Sequence, residues 1–485
     1  MTATTDRLRP QPLSPLRSDF EFSFHDSATL DRLKQATLEI LENTGVRVES
    51  PGALEVLGDH GARVDRRTGR VRLSPDLVLS ALSTAPRDFV LGSRDGSIDL
   101  DLASGQSYCT THGCASEVVD YVTGLRRPST KADVADVTRM QDYLGSIGFW
   151  WPTVGAGDCG ETAQLHELDA GWRNTVKHLQ GMVQGARQAR HAVRMAEVIA
   201  GSREALRRRP VLSDLIGTVS PLVLDRDGME AALVFAEAGV PVCFVSMPML
   251  GTTTLATRAG AYALAMAEVA SATALLQLAY PGAPVLGSLM LSFADPWTGA
   301  LMAAPLDYRC QFLGTELVHH FGLPSLFGCG GTDSDTADTW QAAAEAAHTV
   351  MLSACDGCEL LAAFGLSKSY NLFTPEAFLL GDDVYQRARY AFLEIPFDTE
   401  SFGLEVIDAV GPGGHFLGHQ HTRRHMPAAI ARSLAQEIGP DKRYRDAIEA
   451  ARERALDILR HYEPEPLDED RRKELAEILK AADDE

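Results

Sequence analysis

Short apolar runs alternate with Ala-rich stretches of helical length from about residue 106 onward. A strand that is apolar along its whole length fits a parallel sheet, because helices cover both faces of such a sheet. We predict strands at residues 149–154, 179–183, 215–219, 240–247, 285–291, 326–328 and 359–364, after a first strand near Tyr108. Ala-rich helices between them include residues 258–278, 300–321 and 339–355. Seven or eight such units in about 300 residues are typical of an α/β TIM (β/α)8 barrel.

The sequence before and after this alternating region follows different patterns of residue types. Residues 1–22 are rich in Pro, Ser and Thr and lack an apolar core, which indicates a flexible arm and not a signal peptide. Residues 23–105 join a helical stripe that ends at Gly45 to short strands, and they predict an α+β cap. Residues 426–485 predict C-terminal helices, which leaves residues 106–425 for the barrel.

The composition argues against several classes of function. The formal net charge is −21, whereas nucleic-acid binding needs a basic surface. The most apolar run, residues 231–250, is broken by Gly, Pro and Glu and predicts a helix end and a buried strand, not a membrane span. Eight scattered cysteines without a secretory leader indicate reduced thiols and a cytoplasmic protein. Cys355 and Cys358 have zinc-ligand spacing but no second pair, so we expect no metal site. Self-association stays open.

Two motifs are unusual for so acidic a chain. Residues 411–425 hold four histidines, two arginines and four glycines. Residues 330–335 read Gly-Gly-Thr-Asp-Ser-Asp and directly follow Cys329. The histidines fall in pairs four apart, which on a helix would share one face. The glycines indicate a turn instead, and they weaken a metal interpretation of the pairs.

In this order along the chain, the two motifs resemble the closing signatures of the trimethylamine methyltransferase family, corrinoid-dependent enzymes that demethylate methylated amines. Shorter stretches are similar to the family as well, at residues 38–46, 119–124, 219–222, 281–285 and 321–324. The similarity spans about residues 25–430. It implies a methyltransferase barrel whose methyl acceptor is a cobalt corrinoid carried by a separate partner protein, with no cofactor held tightly by this chain.

The founding members of this family carry pyrrolysine, and this sequence contains standard residues only. It is therefore more similar to the branch whose members act on quaternary amines such as glycine betaine, proline betaine and carnitine. A quaternary nitrogen is already a reasonable leaving group, so attack on its methyl needs a strong nucleophile such as Co(I) but no Lewis-acid metal. A tertiary-amine methyltransferase and a barrel that only binds a betaine stay open as alternatives.

Aromatic side chains near the predicted strand ends are candidates for binding a quaternary ammonium group, since the active sites of barrels lie at those ends. The candidates are Trp150, Trp151, Trp297 and Phe364, with Tyr370 and Phe373 just beyond the last strand. Trp150 and Trp151 are neighbours in one strand and point to opposite faces, so at most one of them faces the cavity. Core packing is the alternative for each of these residues.

Acidic and histidine side chains near the same ends complete the predicted site. Asp333 would neutralise the substrate cation, with helix capping as its alternative. His112, His348 and His421 are candidates for binding the substrate carboxylate, although core burial is the favoured interpretation of His348. Asp333 and His421 are our candidate catalytic residues. We expect corrinoid contact, with structural hydrogen bonding as the alternative, for Gly413, Gly414, His415 and His419.

Overall fold

Eight parallel strands, each followed by a helix, form the centre of the computed structural model, which describes residues 8–17, 22–302, 308–328, 331–430 and 433–485. The strands are β1 (Gln106–Thr111), β2 (Phe149–Trp150), β3 (His178–Gly181), β4 (Leu212–Gly217), β5 (Val242–Ser246), β6 (Val285–Leu289), β7 (Leu326–Gly328) and β8 (Leu360–Phe364). The helices are α1 (Lys131–Tyr143), α2 (Ala163–Asn174), α3 (Ala186–Ala200), α4 (Arg226–Ala238), α5 (Arg258–Ala279), α6 (Tyr308–His320), α7 (Trp340–Ser353) and α8 (Pro375–Ala391). The fold is mixed α/β, as the sequence predicts.

Parallel pairing joins these strands in two groups. Strands β2 to β6 pair in chain order, β7 pairs with β8, and β8 pairs with β1. Two single bridges link the groups. Cys109 of β1 pairs with Ile147 just before β2, and Gly287 of β6 pairs with Ser325 just before β7. The two bridges therefore bring the ends of the two groups next to each other.

Two hydrophobic clusters lie on opposite faces of the strands. The inner cluster is built from alternate strand residues, among them Tyr108, Phe149 and Leu360. It also contains Leu91 and Leu100 from a small hairpin that bonds to the chain just before β3 and β4, at the amino-terminal ends of the strands. The outer, larger cluster packs the strands against the helices. The two-residue period of a strand thus divides every strand between two environments.

Part of the predicted N-terminal arm is attached to the fold, which corrects the prediction for residues 8–17. Leu16–Arg17 pairs antiparallel with the first residues of β1. The backbone N–H of Gln11 donates to the carbonyl of Tyr143 at 2.8 Å, and that of Ser14 donates to Gly145 at 2.8 Å. Main-chain hydrogen bonds at the end of α1 and the buried side chain of Leu16 hold this stretch. Residues 1–7 and 18–21 lie outside the described part of the chain.

The predicted cap, residues 23–105, contains helices and short strands packed against α5. Its helices and strands are Ser27–Glu39, Val46–Val48, Pro51–Asp59, Arg63–Asp65, Arg70–Arg72, Pro75–Leu82, Val90–Leu91 and Leu100–Asp101. Val46–Val48 pairs in parallel with Val223–Leu224, which follows β4. The hydroxyls of Thr37 and Thr84 donate to residues of α5. This region is therefore anchored to the helical layer around the strands.

The remaining helices and strands lie outside the eight central strands and their eight helices. They are Glu117–Val119, Arg126–Pro128, Arg203–Arg208, Met249–Leu250, Ser292–Ala294, Leu301–Met302, Leu366–Ser367, Leu372–Phe373, Thr399–Phe402, Leu404–Val410, Gln420–Ala429, Ala447–His461 and Glu469–Asp484. The predicted helix 300–321 starts too early. Residues Leu301–Met302 pair with Ser292–Ala294 in a hairpin, so they are not part of the helix, and α6 is described from Tyr308.

Helix α5 is the one described helix that is long and apolar enough to cross a membrane. Almost all of it is buried between the strands and the N-terminal helices, as in the core helix of a soluble fold. Its apolar composition is therefore explained by packing.

We predict that Gly381→Ala destabilises the fold by about 1–2 kcal/mol. A Cβ at Gly381 in α8 would lie 2.7 Å from the Cβ of Phe364 in β8, so the helix would have to move. Helix propensity alone predicts the opposite sign, a gain of about 1 kcal/mol. Gly58→Ala, also in a helix, meets its nearest neighbour at 3.6 Å and is the matched control. Urea denaturation midpoints that rise equally for both variants would contradict the packing of α8 on β8.

Candidate functional site

His112 and Trp151 directly follow the carboxyl-terminal ends of β1 and β2. The buried Gln141 of α1 holds these ends together. Its Nε2 lies 3.1 Å from Thr111 Oγ1, 3.1 Å from the Trp151 carbonyl oxygen and 3.0 Å from Thr153 Oγ1. The two threonine hydroxyls are 2.6 Å apart. This network fixes the backbone from which His112 and Trp151 project.

A turn of three left-handed residues follows β8. Lys368, Ser369 and Tyr370 have φ angles of 52°, 49° and 69°. Residues other than Gly rarely adopt this conformation, and the surrounding structure must hold it. The backbone N–H groups of Lys368 and Ser369 donate to the carbonyls of Ser334 at 2.8 Å and Thr332 at 3.1 Å. The turn is thus fastened to the loop that follows β7.

Tyr370 and His112 approach each other beside Gly331. Their ring centroids are 4.9 Å apart, with the planes tilted by 47°. Gly331 has a φ of 75°, and a Cβ there would lie 3.5 Å from both His112 Nδ1 and Tyr370 Cε1 and 3.0 Å from the carbonyl oxygen of Leu366. A side chain at this position would fill the space beside both rings. Glycine keeps that space open.

Sulfur atoms lie next to the indole of Trp151. Cys114 Sγ is 3.4 Å from Met182 Sδ, and Met182 packs against the inner cluster that contains Trp151. A Cβ at Gly113 would lie 3.4 Å from Trp151 Nε1, so the chain that leads to Cys114 runs along the indole edge. We call the following residues the strand-end cluster: His112, Cys114, Trp151, Met182, Gly331 and Tyr370.

The polar atoms of this cluster have few protein partners. Burial lowers the pKa of His112 to about 3, a shift that the Ala362 carbonyl partly opposes, so the imidazole is neutral at pH 7. Neither His112 nitrogen, nor Trp151 Nε1, makes a well-formed hydrogen bond to a described residue, although all three atoms are buried. Buried polar atoms are normally hydrogen-bonded, so these atoms indicate a polar ligand or water.

Cys114 is not an activated nucleophile. Its side chain is accessible, yet enough protein surrounds it that burial raises the pKa of the thiol, with the nearby Glu167 carboxyl adding to the rise. Burial raises the pKa of Glu167 itself to about 7, while the backbone N–H of Ala156 donates to it at 2.9 Å. The thiolate is the nucleophilic form, and these surroundings disfavour it.

Asp333 lies at the edge of the strand-end cluster. The hydroxyl of Ser369, next to Tyr370, donates to Asp333 Oδ1 at 2.8 Å. Glu345 of α7 accepts from the backbone N–H of Asp333 at 2.9 Å and from the hydroxyl of Thr332. Asp333 is half-buried and is held by the turn; it does not cap α7, whose N-cap is Thr339. Cys329 and Gly330 lie outside the described residues.

Two of the aromatic side chains predicted to bind the ligand lie in the outer cluster, away from the inner face of the strands. Trp150 lies in the outer cluster, and its Nε1 donates to Thr138 of α1 at 2.8 Å. Phe364 packs on α8, with its ring centroid 6.1 Å from Phe378 and 6.0 Å from Tyr385. Strand alternation places Trp151 on the inner face and Trp150 on the outer one. Phe364 faces outward although Ala362 faces inward, because the register of β8 against β1 shifts between these two residues.

Two further predicted ligands are exposed. Trp297 is 88% exposed at the tip of the hairpin after β6, where Asp295 Oδ1 accepts its backbone N–H. His348 is exposed on α7, which also corrects its favoured interpretation as a buried core residue. A sequence pattern locates the strand end but not how far the following loop carries a side chain from it.

The histidine-rich motif lies in the segment 399–425. His421 and His425 stack with ring centroids 4.3 Å apart, and His421 Nε2 is 3.2 Å from the carbonyl oxygen of Glu400. His419 Nδ1 accepts the backbone N–H of His421 and caps the helix Gln420–Ala429. Gly413, Gly414 and His415 are exposed. The contacts that the structure shows for these residues are within the motif's own segment.

Sequence reasoning underrated two residues that build the site. Tyr370 is a candidate from the sequence only because it follows β8. The left-handed turn that orients its ring has no strong sequence signal, because Lys-Ser-Tyr contains no Gly or Asn. Gln141 was missed, since a single Gln in a helical stripe reads as a surface residue. Only the structure shows that Gln141 is buried beneath two strand ends.

A cavity of about 1380 Å³ lies between α8, residues 11–14 and the helix Ala447–His461, and none of the predicted site residues lines it. Within the described residues, no group of three or more His, Cys, Asp or Glu side chains is arranged to hold a metal ion.

Comparisons with known protein sequences and with a family model agree on one family. The family model described as trimethylamine methyltransferase (MTTB) matches residues 3–484. A trimethylamine methyltransferase MttB of Desulfitobacterium hafniense DCB-2 is 32% identical over 466 residues, which cover 93% of this chain and 92% of that protein. A glycine betaine methyltransferase of Desulfitobacterium hafniense Y51 is 28% identical over 90% of this chain and 92% of that protein.

Similar solved structures are more distant. The monomethylamine methyltransferase MtmB of Methanosarcina barkeri is 12% identical, with a TM-score of 0.44 over 89% of this chain and 92% of that chain. A hydroxylamine complex of MtmB has a TM-score of 0.45 with the same coverage.

We predict that His112 makes the fold less stable as the pH falls. The unfolded imidazole has a pKa near 6.5 and the folded one a pKa of about 3, so between these values only the unfolded chain takes up the proton. At pH 5 this amounts to about 2 kcal/mol. His112→Asn should therefore lose less stability than the parent between pH 7 and pH 5 in urea denaturation. Equal losses would contradict the burial of a neutral His112.

Proposed function

We propose a function for this chain, which belongs to the trimethylamine methyltransferase family. It moves a methyl group from a quaternary amine of the glycine betaine kind to the Co(I) corrinoid of a partner protein. Two points support the quaternary substrate. The sequence has no pyrrolysine, and one relative over most of the chain is named a glycine betaine methyltransferase. The reduced thiols fit a cytoplasmic setting for this chemistry.

The neighbour relations of the eight strands support a closed (β/α)8 barrel over residues 106–425. Strand β8 pairs directly with β1, and the two bridges bring β1 next to the start of β2 and β6 next to the start of β7. In such a barrel the carboxyl-terminal ends of the strands form the mouth that holds the active site. The strand-end cluster would then lie in that mouth, with the hairpin of Leu91 and Leu100 at the opposite end.

The observation that carries the proposal is a group of buried N–H atoms that make no well-formed hydrogen bond to a described residue and lie near aromatic side chains. A neutral His112 and the indole of Trp151 can each donate a hydrogen bond, and neither has a well-formed partner among the described residues. A carboxylate is the natural acceptor for two such donors. This arrangement suits the carboxylate end of a betaine.

The other end of a betaine is a cation, and the surroundings of Tyr370 suit it. A trimethylammonium group gains about 0.5–2 kcal/mol from each aromatic face that it contacts once water is excluded. The rings of Tyr370 and Trp151 offer such faces, the sulfur atoms of Cys114 and Met182 are polarizable neighbours, and Asp333 supplies a negative charge at the edge. The turn Lys368–Tyr370 would set the distance between the two ends of the site.

The protein's contribution to the reaction is positioning and removal of water. The quaternary nitrogen leaves as a neutral tertiary amine when the methyl carbon is attacked, so neither a general acid nor a Lewis acid is needed. Asp333 would favour binding of the cation before the attack. The methyl acceptor arrives as a second substrate on its carrier protein. The exposed Gly413, Gly414 and His415 and the half-buried His419 remain our candidates for contact with it, and His421 would position this segment.

A tertiary amine is the second candidate substrate, because the relative with 32% identity is named trimethylamine methyltransferase. The two substrates differ in the carboxylate, for which only a betaine needs the N–H donors of His112 and Trp151. Mixing the chain with a reduced corrinoid protein and either amine separates the candidates. We expect methyl-Co(III) absorbance with glycine betaine and little with trimethylamine. The reverse would favour the tertiary amine, and no methylation with either would leave a binding protein only.

We predict that Trp151→Phe and Tyr370→Leu each weaken glycine betaine binding by roughly tenfold, since each removes an N–H donor or an aromatic face. Trp297→Leu, at an exposed tryptophan, is the matched control and should bind like the parent. Isothermal titration of each purified variant measures the effect. If Trp297→Leu alone weakened binding, the ligand would lie at the hairpin tip and not in the strand-end cluster.

A further inference from the structure

A small sheet of the N-terminal cap carries arginines on its exposed face. Its strands are Val46–Val48, Arg70–Arg72 and Arg63–Asp65, and valines of all three strands form the opposite face, packed toward the core. With the turn that joins two of the strands, the exposed face holds six arginines, here called the arginine face: Arg47, Arg63, Arg66, Arg67, Arg70 and Arg72. Ion pairs and strand positions bring three acidic residues to it, Glu42, Glu49 and Asp65. The face therefore has a surplus of positive charge in a chain whose net charge is −21.

The register of the sheet places arginines directly opposite one another. Arg47 lies opposite Arg70, and Arg63 lies opposite Arg72. Opposite residues of antiparallel strands have Cβ atoms about 4.5–5.5 Å apart, and like charges in such positions destabilise a sheet. An edge strand needs charge to prevent pairing with other chains, which explains Arg63 but not the arginines of the inner strands. The stability of the sheet therefore does not explain the arginine face.

Ion pairs within the cap neutralise only part of this charge. Arg47 lies 2.8 Å from Glu49, and Arg63 lies 4.0 Å from Glu42. Each of the four side chains keeps between 40% and 70% of its surface exposed. Exposed pairs of this kind are weakened by water and salt. Arg47 and Arg63 thus remain accessible to another anion.

The other four arginines make no ion pair with a described residue. Arg70 and Arg72 each donate one N–H, from Nε, to the main-chain carbonyls of residues 43–44. Arg66 and Arg67 lie in the exposed turn between the strands. A guanidinium has five N–H donors. Most donors of these four side chains therefore find no acceptor among the described residues.

The spacing of the arginine face matches carboxylates on an extended chain. Residues two apart on one strand, such as Arg70 and Arg72, lie about 6.5–7 Å apart along it. Alternate side chains of an extended segment repeat at the same distance and point the same way. Arginine binds a carboxylate through two parallel N–H donors. Acidic residues at alternate positions of a segment can therefore each meet one guanidinium.

Other polyanions fit the arginine face less well. Single-stranded nucleic acid binds where its bases stack on aromatic rings, and residues 40–73 contain no Phe, Tyr or Trp. Binding to a bilayer surface needs apolar side chains beside the basic ones, and no large apolar side chain is exposed in residues 40–73. The acidic remainder of the chain would also repel a long polyanion that extends beyond the face. A short acidic segment of a protein needs neither stacking nor apolar contact.

We propose that the arginine face binds an extended acidic segment of a partner protein. The segment lies along the strand Arg70–Arg72, with alternate carboxylates paired to Arg70 and Arg72 and with Arg47 and Arg63 on either side of it. None of the six arginines belongs to the strand-end cluster, so this interaction is independent of the proposed methyl transfer.

Fluorescence anisotropy at low salt tests the interaction with the full-length protein and a labelled peptide in which Glu and Thr alternate. We expect saturable binding that weakens as salt is added. Arg47→Gln with Arg63→Gln should weaken it roughly fivefold or more. Arg190→Gln with Arg194→Gln, at exposed arginines of α3, removes the same charge elsewhere and should bind like the parent. A parent that does not bind, or an equal loss in both double variants, would overturn the proposal.

The same variant shows whether the arginines serve the fold instead. Arg47→Gln with Arg63→Gln removes one member of each opposite pair, so its urea denaturation midpoint should exceed that of the parent. A lower midpoint would mean that the arginines stabilise the cap and need no partner to explain them, which would contradict the proposal.

Competition with the bound peptide separates the classes of partner. Double-stranded DNA and vesicles that contain phosphatidylserine should displace it less well than unlabelled peptide does at equal negative charge. Better displacement by either would assign the arginine face to nucleic acid or to a membrane. A peptide of the same composition with its Glu residues in one block should bind more weakly, because half of its carboxylates point away from the sheet. Equal affinity of the two peptides would rule out an extended segment with alternate contacts.

Discussion

The alternation of side chains along strands that are buried on both faces determines most of this structure. A residue of such a strand either joins the inner cluster or packs against a helix. A shift of one position along the strand moves a side chain from one of these environments to the other. Trp151 lies inside and Trp150 outside for this reason. His112 and Trp151 can serve a ligand because their strands end with inward-facing positions. Phe364 departs from the alternation, because a register shift after Ala362 turns it toward α8, where it stabilises the fold instead.

A second layer of contacts turns these strand ends into a site. Gln141 joins the ends of β1 and β2, and the left-handed turn after β8 brings Tyr370 to His112 beside Gly331. The strained turn is stabilised by the loop after β7, which also presents Asp333. Buried polar atoms that make no well-formed hydrogen bond to a described residue are thereby held next to an aromatic face, and we propose that this combination binds a ligand with one anionic and one cationic end.

The sequence predicted the strand–helix order well, because apolar strands and Ala-rich helices leave distinct patterns. All seven strands proposed from it overlap observed strands. The site was predicted less well, since periodicity does not show how loops carry side chains. Trp297 and His348 follow suitable elements but are exposed. Tyr370 depends on main-chain hydrogen bonds between two loops, and such contacts between distant residues leave no local signal.

The most direct test of the proposed site is the environment of the bound trimethylammonium group. Glycine betaine labelled with ¹³C in its methyl groups can be titrated with the purified protein and followed by NMR. Contact with the faces of Tyr370 and Trp151 predicts an upfield shift of the methyl signal that grows with protein concentration and shrinks in Tyr370→Leu. Binding without an upfield shift, or a shift that Tyr370→Leu leaves unchanged, would contradict an aromatic site at the strand ends.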